Sequence, residues 1–213
     1  MEAPSYEIEI RFRMDTEGAA YDLLPFLEES LGQPASWSTD ILGRSIYDDG
    51  RLLRIGRVPT PQGMRLFLGA KGPDVGRFAN IRQEWGEEIS DGVARSAILA
   101  QLGIDGHFAT SQAVEDALTA AGHLPFMSFS GVDRLGFYAP LDLHTKISRC
   151  EKIVGDDVLI ELELAADSLE AASKAEEKLR AIAQEYGIIN CLFRAEPPTL
   201  LFQHTFPNSA ATA

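Results

Sequence analysis

Residues 6–13 alternate strictly between apolar and charged side chains, and this alternation constrains the fold more than any other feature of the sequence. One set of alternate positions is apolar: Ile8, Ile10 and Phe12. The other set is charged: Glu7, Glu9, Arg11 and Arg13. Successive side chains of a β-strand point to opposite faces, so the segment is predicted to be a strand with one apolar and one charged face. The charged face is either a solvated surface or the inside of an enclosed structure.

Most of the remaining sequence predicts short antiparallel strands with a few helices between them. The further strands are expected at residues 44–48, 52–58, 64–70, 79–89, 126–138, 143–152 and 158–165. Helices are expected at residues 15–31, 91–102, 111–121 and 169–186, the last with solvated charged side chains that include Glu176. Many consecutive antiparallel strands favour a closed or nearly closed barrel, which leaves few exposed edges. No low-complexity linker interrupts the chain, so we expect a single domain at residues 1–206 and a disordered tail at 207–213.

The charge balance argues against a nucleic-acid partner. The chain has 213 residues and a formal net charge of −13, whereas nucleic-acid binders need a basic face that displaces counterions. Residues 44–82 are an exception, with eight basic and three acidic side chains. This local excess suits a small anionic ligand held inside the protein. No apolar run approaches the roughly 20 residues that span a bilayer, so we expect no membrane partner and a cytoplasmic protein.

Two pairs of glutamates are spaced for metal binding. Glu7 and Glu9 form one pair, and Glu161 and Glu163 form the other near the far end of the chain. Residues i and i+2 of a strand lie roughly 6.5–7 Å apart on one face. Two carboxylates at that spacing can share a hard divalent cation such as Mg²⁺ or Mn²⁺. The alternative is that both pairs belong to solvated strand faces.

Several other strands carry charge at alternate positions within apolar segments. The residues concerned are Arg54, Arg57, Arg82, Glu84, Arg134 and Lys146. Arginine binds phosphate oxygens in a bidentate geometry, which complements the metal-binding carboxylates. If the charged faces line the inside of a barrel, the protein contains a polar tunnel. Such a tunnel is unfavourable unless a highly charged ligand and a metal occupy it.

The order of these motifs resembles the CYTH, or triphosphate tunnel metalloenzyme, superfamily. Residues 7–11, Glu-Ile-Glu-Ile-Arg, are similar to its E-x-E-x-K signature near the N-terminus. Further similar pieces follow in family order: Tyr47-Asp48, Leu53-Arg54-Ile55, Lys71-Gly72-Pro73, Arg82-x-Glu84, Arg134 and Glu161-x-Glu163. The overall layout looks most like the class IV adenylate cyclase branch.

The resemblance implies an α+β fold, an eight-stranded antiparallel β-barrel (a triphosphate tunnel) with helices packed outside. Together with the alternating charges, it implies that Mg²⁺ or Mn²⁺ is held by Glu7, Glu9, Glu84, Glu161 and Glu163. It likewise implies that phosphates are bound by Arg11, Arg54, Arg57, Lys71, Arg82, Arg134 and Lys146. The candidate catalytic residues are Glu7, Glu9 and Arg11.

The implied function is that of a metal-dependent enzyme acting on a small-molecule triphosphate, either ATP or another inorganic or organic triphosphate. As a class IV adenylate cyclase, a phosphorus–oxygen lyase, it would form cyclic AMP and pyrophosphate. As a triphosphatase, it would hydrolyse a phosphoanhydride. The alternative is a non-catalytic protein that binds triphosphate or polyphosphate at a degenerate site. Related proteins are often monomers or homodimers, so either state is expected.

Three departures from the family pattern bear on the reaction more than on binding. Arg11 stands where the signature has lysine, which keeps the charge but removes a titratable amine. Gly56 stands in place of the second arginine of L-R-I-R, and Arg57 follows one residue late. Val132 occupies the lysine position of K-x-R.

Overall fold

Eight strands close into one antiparallel barrel in the computed structural model, which describes residues 5–207. The strands are β1 (Ser5–Met14), β2 (Ala35–Leu42), β3 (Leu52–Thr60), β4 (Gly63–Lys71), β5 (Asn80–Glu88), β6 (Pro125–Tyr138), β7 (Leu143–Arg149) and β8 (Val158–Ala166). Their order around the barrel is β1-β5-β4-β3-β2-β6-β7-β8, and each strand pairs with both neighbours. The expected eight-stranded antiparallel barrel is confirmed.

The helices lie outside the barrel wall or across one of its ends. They are α1 (Glu17–Leu23), α2 (Phe26–Ser30), α3 (Arg44–Asp48), α4 (Ala97–Gln101), α5 (Ser111–Ala120), α6 (Glu151–Val154), α7 (Leu169–Glu185) and α8 (Pro197–Thr205), with a short 3₁₀ helix at Ala139–Leu141. Within the part of the chain that the structure describes, none of them is long and apolar enough to cross a bilayer.

The apolar face of β1 is covered by the longest helix. Ile8, Ile10 and Phe12 are almost fully buried and share a core with α7 residues that include Leu179 and Ile182. A second outer core lies under α4 and α5, and a third joins inner-face residues at one end of the barrel to Leu201 and Phe202 of α8. Because helices cover the outer apolar faces, the charged alternate positions face inward.

Two expected elements differ from the structure for local reasons. The helix expected at residues 15–31 is broken into α1 and α2, because Pro25 cannot donate the backbone hydrogen bond that a continuous helix needs there. Residues 44–48 form α3 instead of a strand, after Gly43 takes a left-handed conformation with φ of 66°. β2, at Ala35–Leu42, takes the place of that strand in the barrel.

Smaller differences concern element ends. The helix expected at residues 91–102 is restricted to α4, which begins after its N-cap Ser96. The strand expected at 143–152 ends at Arg149 and is followed by α6. α8 was not predicted, because it opens on Pro197 and Pro198, which the sequence pattern does not distinguish from a loop. Of the expected tail at 207–213, residues 208–213 lie outside the described residues.

Glu176 of α7 is buried, which corrects the expectation that it is solvated. Its Oε1 accepts hydrogen bonds from the backbone N–H groups of Arg77, Phe78 and Ala79, at 2.9, 2.7 and 2.9 Å. Burial tends to raise the pKa of Glu176, but these three donors outweigh it and lower the pKa below its ordinary value. Glu176 therefore fixes the loop that leads into β5.

We predict that Glu176→Ala lowers the free energy of unfolding by about 2 kcal/mol, because it leaves buried N–H groups without acceptors. Since the folded pKa is depressed, the contribution of Glu176 is present at neutral pH and is lost as pH falls through that folded pKa. Urea denaturation at pH 7 measures the change, and the exposed neighbour variant Glu177→Ala is the control. Equal stability of the two variants would contradict the assignment.

Candidate functional site

The barrel encloses a cavity of about 530 Å³ that contains the charged face of β1. Glu7, Glu9 and Arg11 line this cavity, and Glu9 and Arg11 retain 4% and 1% of their accessible surface. The solvated alternative for this strand is therefore wrong. Closure of the barrel, together with the outer helices, leaves the charged face no other position.

The cavity contains more carboxyl groups than basic groups. Its acidic residues are Glu7, Glu9, Glu84, Asp133, Glu161, Glu163 and Glu196. Its basic residues are Arg11, Arg54, Arg57, Lys71 and Lys146. When all twelve groups are ionised, the lining residues carry a net charge of −2, or −3 without Arg57, whose guanidinium is directed away from the cavity toward Asp40 and Glu115. A polyanionic ligand therefore requires added positive charge in order to bind here.

The two glutamate pairs predicted from sequence meet across one strand boundary. In the pairing of β1 with β8, Glu9 lies opposite Glu163 and Arg11 lies opposite Glu161. Directly opposite residues in an antiparallel pair have Cβ atoms about 5 Å apart. The structure thus brings together residues that are about 150 positions apart in the chain, as Arg11 and Glu161 show.

Arg11 is held by four partners. Its guanidinium pairs with Glu9, and Nε donates to Glu161 Oε1 at 3.2 Å. Nη1 donates to Asn80 Oδ1 at 3.0 Å and to the carbonyl oxygen of Arg194 at 2.9 Å. Burial by itself would lower the pKa of Arg11, but the carboxylates of Glu9 and Glu161 outweigh burial and raise the pKa above its ordinary value. This arginine therefore positions two carboxylates, and its donors are already in use.

Two lysines supply further positive charges, Lys71 from a buried position and Lys146 from a partly exposed one. Lys71 on β4 pairs with Glu7 and lies 3.9 Å from Glu84 Oε1. Lys146 on β7 lies 2.6 Å from Glu161 Oε2 and 3.7 Å from Asp133 Oδ2. Burial opposes the charged form of both lysines, yet the neighbouring carboxylates raise both pKa values. Each lysine stays protonated and contributes an ammonium group to the cavity.

The side chain of Arg54 lies against Gly69 in the cavity wall. A Cβ on Gly69 would lie 3.1 Å from Arg54 Nε and 3.3 Å from its Cγ, so the absence of a side chain there makes room for the arginine. The guanidinium of Arg54 lies 3.3 Å from Glu84 Oε1 and is 43% exposed. Arg54 is the more accessible of these bases and can turn toward a ligand at low energetic cost.

Glu163 has a different environment from the other three glutamates of the two pairs. Among residues 5–207 no hydrogen-bonded or ion-paired partner of its carboxyl group is found. Burial, followed by the charges of Glu7 and Glu9, raises the pKa of Glu163 from its ordinary value of 4.5 to about 8. In contrast, Arg11 and Lys71 outweigh burial at Glu9 and lower its pKa. The carboxyl groups of Glu7, Glu9 and Glu163 therefore repel one another and favour a proton or a cation between them.

The donor chemistry of these carboxyl groups fits a hard divalent cation. Mg²⁺ and Mn²⁺ prefer carboxylate oxygens, and a cation would replace the proton that the raised pKa of Glu163 indicates. Across residues 5–207 no group of three acidic, histidine or cysteine side chains is already arranged for metal coordination. Glu7 and Glu9 are instead engaged by Lys71 and Arg11, so these pairs must loosen when a cation enters.

Glu196 lines the cavity, whereas Arg82, a predicted phosphate-binding residue, is not among the lining residues and contacts Glu196 from behind. Arg82 Nη1 donates to the carbonyl oxygens of Gly50 and Gly72 at 3.1 and 3.0 Å, and its Nε is 3.1 Å from Glu196 Oε1. Burial, only partly offset by Lys71 and Arg82, raises the pKa of Glu196. Glu196 precedes α8 and was not predicted, because a residue in a loop before two prolines has no strand periodicity that would indicate it.

Two predicted phosphate-binding residues are directed elsewhere. Arg134 lies on the outer face of β6, because its neighbours Asp133 and Leu135 line the cavity and strand side chains alternate. Its Nη1 donates to Glu17 Oε2 at 3.2 Å and to the Tyr21 hydroxyl at 2.5 Å. The expected inward position of Arg134 is therefore corrected.

Arg57 borders the cavity, but its guanidinium is committed outside it. It lies 2.5 Å from Asp40 Oδ2 on β2 and 3.2 Å from Glu115 Oε2 on α5. Gly56 takes the inward position on β3 beside it, opposite Phe67. Asp133 and Asn80 were also missed by the sequence analysis, since each is a single polar residue next to a more conspicuous arginine or strand end.

No family model and no curated protein matches the chain. Solved structures do match. A Pyrococcus horikoshii protein is 16% identical with a TM-score of 0.67, over 93% of this chain and 99% of that chain. A proposed adenylate cyclase from Vibrio parahaemolyticus is 14% identical with a TM-score of 0.65, over 92% and 97% of the two chains. A proposed adenylyl cyclase from Hippeastrum, described as having a dominant triphosphatase activity, is 16% identical with a TM-score of 0.52, over 86% and 88%.

This chain has a CYTH-like fold. The low identities establish the fold alone, and the fold agrees with the resemblance that the ordered motifs indicate. The CYTH-like barrel explains why acidic and basic residues from seven different strands point into one cavity.

We predict that Arg11→Lys lowers the free energy of unfolding by about 2 kcal/mol or more, because lysine cannot replace the charge-assisted bonds to Asn80, Glu161 and the Arg194 carbonyl. Arg13→Lys, at an exposed position of the same strand, is the matched control and should change stability by less than about 0.5 kcal/mol. Urea denaturation compares the two variants, and equal losses would contradict the positioning role.

A second prediction concerns Glu163 and pH. Between pH 4.5 and about 8 the unfolded chain releases a proton that the folded CYTH-like barrel retains, so stability falls as pH rises through this window. In the presence of a chelator, Glu163→Gln should therefore melt higher than the wild type at pH 8, by roughly 3 °C or more, and nearly equally at pH 5. Thermal denaturation tests this, with the exposed variant Glu177→Gln as control. An advantage of equal size at both pH values would contradict the raised pKa.

Proposed function

We propose that this protein is a metal-dependent enzyme that cleaves a triphosphate inside its barrel, in the manner of a class IV adenylate cyclase or a triphosphatase. The observation that carries the proposal is the enclosed cavity, where seven carboxyl groups meet the basic groups of Arg11, Arg54, Lys71 and Lys146. Such a concentration of buried charge is unfavourable in a purely structural interior, so a highly charged ligand is its natural complement.

Phosphate binding is assigned first to Lys71, Lys146 and Arg54. Lys71 presents a buried ammonium group and Lys146 a partly exposed one, and the half-exposed guanidinium of Arg54 can make bidentate contact with a phosphate. Arg82 is proposed to act indirectly by holding Glu196 in the cavity lining, because its donors are engaged. Arg134 is left out of the set because it lies outside.

The metal is assigned to Glu7, Glu9 and Glu163, with Glu84 and Glu161 nearby for a second ion. Bound Mg²⁺ or Mn²⁺ supplies charge neutralisation at the phosphate oxygens and lowers the pKa of a bound water. The net negative lining supports this assignment, since a triphosphate would otherwise meet uncompensated carboxylates. The bound cations would therefore balance the negative charges of both the triphosphate and the carboxylates of the lining.

The residues of the chain contribute mainly orientation and electrostatics, as in phosphoryl transfer generally. Arg11 fixes Glu9 and Glu161 in place, and Lys71 and Lys146 hold the phosphate chain in line. Attack by water on the terminal phosphate gives a triphosphatase. Attack by a ribose 3′-hydroxyl on the α-phosphate gives cyclic AMP and pyrophosphate. The two activities named for the Vibrio and Hippeastrum proteins correspond to these two routes.

A non-catalytic binding protein is the second candidate. It is favoured by the ion pairs of Glu7 with Lys71 and of Glu9 with Arg11, which use carboxylates that metal chemistry needs. The ligand in that case is still a small-molecule triphosphate, and the metal only assists binding.

The test incubates purified protein with ATP or tripolyphosphate and with Mn²⁺ or Mg²⁺. We expect metal-dependent formation of cyclic AMP or orthophosphate, and Glu9→Gln should reduce the rate at least about 100-fold, the size of one lost electrostatic contact in a transition state. Glu177→Gln on the outer helix is the control and should keep the wild-type rate. Tight binding without product would favour the binding protein, and the absence of both binding and product would overturn the proposal.

A further inference from the structure

A second pocket of about 220 Å³, which we call the rear pocket, adjoins the cavity behind Arg11. It lies between residues 9–11 of β1, the loop that contains Arg77 and Phe78, and the segment 189–194. Glu9 and Arg11 line both spaces. Arg11 Nε donates to Glu161 in the cavity, whereas its Nη1 donates to the carbonyl oxygen of Arg194 in the rear pocket. The Arg11 guanidinium therefore separates the two spaces.

The rear pocket exists because β5 begins late relative to β1. The pairing of the two strands ends where Glu9 faces Asn80, the first residue of β5. The segment that follows α7 continues in place of β5, since the Phe193 N–H donates to the Arg11 carbonyl oxygen at 3.1 Å and the two residues form a β-bridge. A single bridge does not fill the space that a full strand would occupy, and the remaining gap is the rear pocket.

The charge of the rear pocket is opposite to that of the cavity. Of the described residues that line it, Arg11, Arg77 and Arg194 are basic and Glu9 is acidic, which gives a net charge of +2. Asp74 pairs with Arg194 from outside the lining and reduces this excess to +1. The lining of the cavity carries a net negative charge instead. A small anion is therefore favoured in the rear pocket without an added cation.

The three arginines are held in place through main-chain groups. Arg11 Nη1 donates to the carbonyl oxygen of Arg194 at 2.9 Å, and Arg194 Nη1 donates to the carbonyl oxygen of Arg77 at 2.8 Å. Glu176 fixes the same loop by accepting the N–H of Arg77 at 2.9 Å. The backbone that carries the guanidinium groups is thus positioned before a ligand binds, which lowers the ordering cost of binding.

Two of the arginines have donors that remain available. Arg77 is exposed, and within residues 5–207 no hydrogen bond or ion pair of its guanidinium is found. Arg194 is 43% exposed and uses its two terminal nitrogens for the Arg77 carbonyl and for Asp74, although a guanidinium has five N–H donors. Because both side chains reach solvent, a ligand enters the rear pocket without passing through the cavity.

We propose that the rear pocket is a separate binding site for a small phosphate anion, either inorganic phosphate or pyrophosphate, held by Arg77, Arg194 and Arg11. Arginine binds phosphate oxygens with two parallel hydrogen bonds, which an anion of this class can accept from several sides. The volume of about 220 Å³ is below the roughly 300–1,000 Å³ that encloses larger organic ligands. The excess of basic groups makes a metal unnecessary for this site.

An anion in the rear pocket competes with Glu9 for the guanidinium of Arg11. The two spaces are therefore coupled, and the coupling is reciprocal, so a weaker hold of Glu9 on Arg11 strengthens anion binding. The binding site itself is independent of the proposed function. The coupling rests on the proposed function for its importance, because Glu9 is a proposed metal ligand and phosphate or pyrophosphate is a product of the proposed reaction.

The test titrates inorganic phosphate and pyrophosphate, in separate calorimetry experiments at pH 7, into the purified protein with a chelator present. Without divalent cations the negative cavity does not attract the anion, and we expect binding at the rear pocket. Arg77→Gln and Arg194→Gln should each weaken it about 10-fold, the size of one lost charge-assisted contact. Arg95→Gln, at another exposed arginine, is the matched control and should leave the affinity unchanged.

Three further variants locate the anion and test the coupling. Lys146→Gln, in the cavity, should leave the metal-free affinity unchanged. Glu9→Gln should raise it several-fold, because Arg11 loses a charged partner and the rear pocket loses its carboxylate. Glu163→Gln, at a cavity residue that does not line the rear pocket, is the control for Glu9→Gln and should not raise the affinity.

The negative results are distinguishable. The absence of metal-free binding would overturn the inference and leave the proposed function to its own test of metal-dependent turnover. Binding that Lys146→Gln weakens and Arg77→Gln does not would place the anion in the cavity and overturn the inference as well. An unchanged affinity of Glu9→Gln would overturn the coupling. If Arg194→Gln fails to fold, Arg77→Gln still decides the question, because that side chain is exposed.

Discussion

The buried ion pairs inside the closed barrel are the interaction on which the rest of the structure depends. Every strand is paired on both sides, so the barrel has no open edge. The charged side chains on the inner face of the strands are therefore enclosed. Charges in such an interior are strongly unfavourable unless they are paired and hydrogen-bonded. Arg11 with Glu9 and Glu161, and Lys71 with Glu7, meet this requirement and allow the barrel to close.

The same pairing prepares the interior for a ligand. The bases and acids are held in a common cavity, and the lining carries a small excess of negative charge. When a triphosphate binds together with divalent cations, its phosphates can pair with the bases and the cations can pair with the carboxylates. The cavity then remains close to neutral. Glu163 illustrates the point, because its raised pKa indicates a position where positive charge is favourable. The ion pairs that stabilise the barrel are therefore also the ones that binding must rearrange.

The sequence predicted much of this and missed parts that depend on strand phase and on loops. The alternation of residues 6–13 predicted a strand with one apolar and one charged face but left open whether the charged face is solvated or enclosed, and the packing of α7 over Ile8, Ile10 and Phe12 in the closed barrel decides this. Arg134 was misplaced because β6 is 14 residues long and carries charge at both Asp133 and Arg134, so periodicity alone does not decide which residue faces inward. Glu196 was missed because a loop has no periodicity, although its carboxyl group lies beside Arg82 in the barrel.

The most direct test of the account is a crystal structure of the protein with Mn²⁺ and ATP, using anomalous diffraction to locate the metal. The account predicts a manganese peak inside the barrel within about 2.5 Å of carboxylate oxygens from Glu9 and from Glu7 or Glu163. It also predicts phosphate density beside Lys71 and Lys146. Ordered triphosphate outside the barrel, or manganese bound only at surface carboxylates, would contradict the central claim that the enclosed charges form the binding site.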